Sequence, residues 1–274
     1  MFKREHHQKI YEVLQRLDAQ VLKDHSCYFG GGTAIALMND EYRESVDIDF
    51  LVSDLIAYRA LRQSLTGPEG ISAITKSGRE LVLARDIRTD QYGIRAMLRV
   101  GGINIKFEII SEGRIAFDVP KDKDCVGDIA TLSRVDLVAS KLLANTDRWN
   151  DDSVFSRDVI DLAMMKVNKS ELHQAAEKAK AAYGNSVLIS LEKGIDRLFT
   201  KEGLLDSCIT AMKISAPRAV LWQNLEKLKA IAPDNAANEG QTLSIQAVSD
   251  KELNSFLENG LPEINPILDY LKDK

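Results

Sequence analysis

Ile10, Val13, Leu14, Leu17 and Val21 recur at helical spacing with charged residues between them, so residues 5–24 predict one amphipathic helix lying on a core. A short apolar run, Cys27-Tyr28-Phe29, then meets Gly30-Gly31-Gly32-Thr33, after which residues 34–38 are good helix formers. This order predicts a strand, a glycine turn and a helix. Beyond a polar loop, Val46-Asp47-Ile48-Asp49-Phe50-Leu51-Val52 alternates as a strand does, and a period of two puts Asp47 and Asp49 on one face. Residues 54–65 have a helical pattern. After Gly67-Pro68 the sequence changes to β-rich runs at 80–88, 93–100 and 103–110, the last two joined by the hairpin signal Gly101-Gly102. On the third run Lys106 and Glu108 share a face, opposite Ile105, Phe107 and Ile109.

From Ser133-x-x-Asp136 onward the pattern is helical, with a second helix predicted from Ser156 and further helices over most of 169–230. Pro217 marks a break or a first helical turn, residues 232–240 read as a loop, and Ser249-x-x-Glu252 opens a last helical region. Strands before about residue 130 and helices after it predict an α+β fold: a mixed-sheet N-terminal domain over 1–130 and a mainly helical domain over 131–274.

Composition narrows the function classes. Cys27, Cys125 and Cys208 lie 98 and 83 residues apart, and the four histidines include no pair at metal-binding spacing, so neither a zinc site nor a disulfide framework is expected. No apolar stretch approaches the roughly 20 residues that span a bilayer, and the first residues lead into no apolar signal core; a cytoplasmic protein without a membrane partner is expected. The net charge of −5 offers no global attraction for nucleic acid. Only residues 51–100 are basic on balance, with 8 Lys/Arg against 5 Asp/Glu, and Arg79, Arg85, Arg88, Arg95 and Arg99 belong to this island.

A glycine turn that opens a helix presents backbone N–H groups and a positive dipole end to phosphate, which makes Gly31, Gly32 and Thr33 candidates for nucleotide binding. Two carboxylates at i and i+2 on one strand face repel unless a cation lies between them. Asp47 and Asp49, with Glu108 as a third acid from another strand, therefore form a candidate site for one or two hard cations. Thirteen residues between Thr33 and Asp47 leave room for one helix and a loop, so the two features can converge.

In this combination the chain resembles the polymerase-beta-like nucleotidyltransferase superfamily. More closely, Gly31-Gly32-Thr33-Ala34-x-Ala36-Leu37, Arg43-x-Ser45-x-Asp47-Ile48-Asp49-Phe50, Lys106-Phe107-Glu108-Ile109, Lys141 and Arg157-Asp158-x-x-Asp161-Leu162 resemble the successive motifs of the AbiEii nucleotidyltransferase family, toxins of bacterial toxin–antitoxin and abortive-infection systems. The resemblance implies that the 1–130 domain is catalytic, with Asp47, Asp49 and Glu108 as metal ligands for magnesium or manganese. Gly31, Gly32, Thr33, Arg43, Ser45 and Lys106 would meet the NTP, and Lys141 and Asp158 would complete the nucleotide site from the helical domain. Lys141 could instead only pair with Asp158 or Asp161, Arg43 could be a loop charge, and Lys106 could position Glu108 or touch phosphate. The implied reaction moves a nucleoside monophosphate from an NTP to an acceptor, with the tRNA 3′ end first and a cognate antitoxin as partner. A protein hydroxyl, a small molecule such as an aminoglycoside, or an inactive binding module are the alternatives.

Overall fold

A computed structural model describes residues 2–232, so the loop expected at 232–240 lies almost wholly outside the described residues and the helix expected at 249–252 entirely so. The chain opens with α1 (Glu5–Arg16) and α2 (Ala19–Asp24), two helices where the apolar spacing predicts one. The break has a local cause: Leu17 takes an extended conformation and bridges Thr75, while the Asp18 carboxylate accepts from the N–H groups of Gln20 and Val21 and caps a new helix. Then follow β1 (Tyr28–Gly30), α3 (Gly31–Met38), β2 (Ile48–Val52), α4 (Leu55–Thr66), β3 (Val82–Thr89), β4 (Gly93–Val100) and β5 (Ile103–Ser111). The expected strand at 46–52 starts two residues late, which leaves Asp47 at its threshold. Gly101 and Gly102 both take positive φ, 55° and 85°, the combination that turns β4 tightly into β5.

These strands form one sheet in the order β1-β2-β5-β4-β3, with β2 and β5 parallel and every other pair antiparallel. Its inner face carries Phe29, Ile48, Phe50, Val52, Ile94, Leu98, Ile105, Phe107 and Ile109, and it is covered by Ile10, Val13 and Leu14 of α1 and Tyr58, Leu61 and Leu65 of α4. Phe29, Phe50 and Phe107 stack across three strands with ring centroids 5.5 and 5.6 Å apart. Because side chains alternate, turning Phe50 inward sends Asp49 and Leu51 to the opposite face.

A two-strand ribbon, β6 (Cys125–Val126) and β7 (Ile129–Ala130), which no sequence signal announced, leads to α5 (Arg134–Arg148), capped by Ser133 as expected. Then come α6 (Arg157–Met164), α7 (Lys169–Tyr183), α8 (Ser186–Thr200), α9 (Leu204–Ala211) and α10 (Arg218–Ile231), with Pro217 immediately before the last. Their apolar faces form a second core that also takes in Tyr28 and Leu51 from the outer face of β1 and β2 and Ile35 from α3. The outer face is thus covered over β1 and β2, whereas on β5, β4 and β3 it carries exposed Lys106, Arg95, Arg99, Arg85 and Arg88. Residues Met1–Pro233 form one compact unit, and among the described residues no helix is long and apolar enough to cross a membrane.

The aromatic stack sets the facing of β2, so Phe50→Ala is expected to cost about 3–5 kcal/mol, the usual penalty for deleting a buried aromatic ring. Phe50→Leu, which keeps most of the volume, should cost less than half of that in denaturant-induced unfolding.

Candidate active site

Where the outer face passes from covered to exposed, a cleft of about 380 Å³ opens, lined by α3, the loop after it, β2, β5, α5 and the start of α6. Its sheet side carries Asp47 and Asp49, and the parallel register of β2 and β5 sets Glu108 directly beside Asp49. Burial, then the neighbouring Asp47 and Glu108 carboxylates, push Asp49 up to about 6. The acids are joined by the expected glycines. Gly31, at φ +66°, leaves no space for a side chain, since a Cβ there would lie 2.6 Å from Asp49 Oδ2. A Cβ on Gly32 would collide with the Arg43 guanidinium.

The opposite side is cationic: Arg43, Lys141, Arg148 and Arg157 all line the cleft. The first three are held from behind. Asp161, fully buried, accepts a bidentate pair from Arg43, at 2.7 and 2.9 Å, a hydrogen bond from the Tyr42 hydroxyl, and an ion pair from Lys141 at 2.6 Å. Asp158 accepts from Lys141 at 2.9 Å and from Arg148 at 2.7 and 3.0 Å. Burial alone would raise both carboxyls. The cations outweigh it, holding Asp161 far below the usual carboxylate range and Asp158 below it as well.

Several sequence expectations change here. Glu108 lies where the strand pattern puts it, but its two oxygens are spent on Arg95, at 3.1 Å, and on Lys106. Among the described residues no group of three or more His, Cys, Asp or Glu side chains is arranged to hold a metal; Asp47, Asp49 and Glu108 all line the cleft, the last with both oxygens ion-paired. Lys106 positions Glu108, as one of its two readings allowed, and still reaches the cleft. Thr33 does not offer its hydroxyl to the cleft: it is buried and hydrogen-bonded to the Asp47 carbonyl, at 2.5 Å, and to Ser45 Oγ, at 2.8 Å, so it fixes the loop rather than a ligand. Asp158 is likewise absent from the lining; it acts through Lys141 and Arg148. Gly31, Gly32, Arg43, Ser45 and Lys141 line the cleft as expected. Arg79 leaves the basic island for a separate cleft beside Arg16 and Lys76.

Arg148 and Arg114 went unnoticed in the sequence. Arg148 carried a usable signal, standing seven residues after Lys141 and so on the same face of α5. Arg114 carried none. It is held by Glu112, two residues earlier, at 2.6 and 2.9 Å, and by Asp147, which only the fold brings near, at 3.0 Å.

The residues suit a hard divalent cation: two carboxylates meet in one cleft, and burial together with the neighbouring Asp47 and Glu108 carboxylates raises the Asp49 carboxyl. The basic side, where Arg43, Lys141, Arg148 and Arg157 line the same space, suits a polyphosphate.

Comparison with known proteins agrees in kind. The family model described as nucleotidyl transferase AbiEii toxin, type IV TA system, matches residues 12–258. Two solved structures from Helicobacter pylori are similar. One is a candidate nucleotidyltransferase, 16% identical, covering 92% of this chain and 99% of its own, with a TM-score of 0.46. The other is JHP933, 18% identical, covering 94% and 97%, with a TM-score of 0.47. No curated protein sequence matches the chain. With the family match running over most of its length, the chain belongs to the AbiEii nucleotidyltransferase toxin family of type IV toxin–antitoxin systems.

Proposed function

We propose that the chain transfers a nucleoside monophosphate from an NTP to the 3′ end of tRNA, using the cleft between Asp47 and Asp49 and the basic side. The observation that carries this reading is the opposition of charges: Asp47 and Asp49 line one cleft of nucleotide size that Arg43, Lys141, Arg148 and Arg157 line as well. Asp47 and Asp49 would hold the divalent cation, magnesium or manganese, whose chemistry when bound is to neutralise phosphoryl charge and activate an attacking hydroxyl. The N-terminal turn of α3, kept free of side chains at Gly31 and Gly32, directs backbone N–H groups at a phosphate. Lys141 and Arg148, locked by Asp158, set fixed positive charge against the pyrophosphate that leaves when the acceptor oxygen bonds to the α-phosphorus.

The exposed outer face supports a nucleic-acid acceptor. Arg99, Arg88 and Arg85 lie on β4 and β3 beyond Lys106 and Arg95, which Glu108 and Asp90 already pair, a local basic strip on an acidic protein. The motif family implies an antitoxin, with which this chain would be paired in the cell.

Incubation with each labelled NTP, divalent metal and total RNA tests the acceptor. Label is expected at tRNA 3′ ends, and Asp47→Asn should remove it by about 100-fold or more while leaving the fold intact. Label on protein, or in small molecules alone, would displace tRNA.

A second test reads the acidic pair without catalysis. The folded Asp49 carboxyl at about 6 lies above its ordinary 3.8, so the folded state holds the extra proton between these values and gains stability as pH falls through them. Asp49→Asn should therefore stabilise the metal-free protein at about pH 7.5, by on the order of 2 kcal/mol, and the gain should shrink severalfold near pH 4. Differential scanning calorimetry at the two pH values measures it.

A third separates ligand binding from scaffolding. In Lys141→Ala both aspartates keep a bidentate arginine, so NTP affinity should fall about tenfold or more with a modest loss of stability. Asp161→Ala strands Arg43 in a buried position and should cost about 3–5 kcal/mol of stability, read by chemical denaturation.

A further inference from the structure

The loop that carries Arg43, Ser45 and Asp47 is not held by the sheet. Its first turn places two successive non-glycine residues, Asp40 and Glu41, in the left-handed region, at φ 57° and 51°, a conformation that persists only where surrounding contacts over-determine it. Asp161 holds Tyr42 and Arg43 from one side, the Met212 carbonyl accepts from Glu44 N–H at 3.1 Å, and the start of α1 supplies the remaining contacts. The Glu41 carboxylate accepts from the backbone N–H groups of Lys3, at 2.6 Å, and Arg4, at 3.1 Å, and Arg4 Nε donates to the Glu41 carbonyl at 3.2 Å. Between the helix and the loop stands His7, with no exposed surface. Ser45 N–H donates to His7 Nε2 at 3.1 Å, which makes Nε2 the unprotonated nitrogen and leaves Nδ1–H to donate to Glu41 Oε1 at 2.8 Å. Burial pushes the His7 imidazole below its usual range and so favours this neutral ring. From Ser45 the chain of contacts continues through Thr33, whose hydroxyl holds the carbonyl of Asp47.

We infer that His7 is a positioning residue of the transfer reaction: through Ser45 and Thr33 it sets where Asp47 stands in the cleft. No ring atom of His7 touches the cleft, so it acts only on loop placement. The same three groups are legible as a relay, carboxylate to imidazole to backbone amide, with a single tautomer satisfying every donor and acceptor. This inference rests on the transferase reading for its kinetic consequence, but not for its structural one.

The test compares wild type, His7→Leu and His7→Gln in the full chain. Leu removes both hydrogen bonds, whereas the Gln carbonyl can again accept from Ser45 N–H. In His7→Leu the peptide spanning 39–47 should exchange its amide hydrogens about tenfold faster, with kcat down about tenfold or more and KM for NTP within about twofold; misplacement of one acid by about 1 Å suffices for such a loss. His7→Gln should restore most of both. Unchanged loop exchange in a folded His7→Leu protein overturns the inference, as does a kcat loss that Gln fails to rescue. If Leu does not fold, a Gln variant with unaltered loop protection and kcat supports the relay, and one with both lost refutes it. A wild-type chain that transfers no nucleotide would defeat the transferase reading instead, while the exchange of the 39–47 peptide still decides the role of His7.

Discussion

Two buried aspartates organise this molecule. Asp161 and Asp158 lie on successive turns of α6, and each draws cations from elsewhere in the fold: Arg43 from the loop after α3, Lys141 and Arg148 from α5. Removing a carboxylate from water costs several kcal/mol, and only close, well-directed partners offset it. The geometry meets that condition, with bidentate guanidinium pairs on both aspartates and Lys141 bridging them. Such an arrangement is weak evidence for stability, but removing any one partner would leave a buried charge alone.

The charge count explains why the network also builds a binding surface. Three cations, Arg43, Lys141 and Arg148, surround two carboxylates, Asp158 and Asp161, which leaves one positive charge in excess, and Arg157 adds another at the same cleft. Across the cleft Asp47 and Asp49 bring two carboxylates together, and burial with that proximity raises the Asp49 carboxyl. Each side is unfavourable alone, and a polyphosphate with its cation would relieve both. The protein thus stores unneutralised charge at the place where a charged ligand can bind, and the buried aspartates bear the structural cost.

Net charge says little about such a protein. At −5 it is acidic overall, yet the outer sheet face carries a line of arginines leading away from the acid pair. What matters for an anionic partner is the field at one face within a Debye length, about 8–10 Å at physiological salt, and the remaining charge is largely screened. Splitting of the basic island, with Arg79 turned to another cleft, shows that proximity in sequence is no guide to a shared surface once strands and loops diverge.

Most elements before residue 130, the alternation that puts Asp47 and Asp49 on the face opposite Phe50, the glycine entry to α3 and the family-like motifs are legible in the sequence, because they depend on periods of 2 and 3.6 residues and on local backbone freedom. It also paired Lys106 with Glu108 on one face. Which of these groups line the cleft depends on contacts between residues far apart in the chain. Thr33 and Asp158 turn away from the cleft, Glu108 spends its carboxylate on Arg95 and Lys106, and Arg148 and Arg114 enter. The helix predicted over 5–24 broke for the same kind of reason, a capping carboxylate and a bridge to Thr75 that apolar spacing does not register. Hydrogen bonds and ion pairs are satisfied by whichever partner the fold brings within about 3 Å, and that partner is often a hundred residues away, as Asp161 is from Arg43.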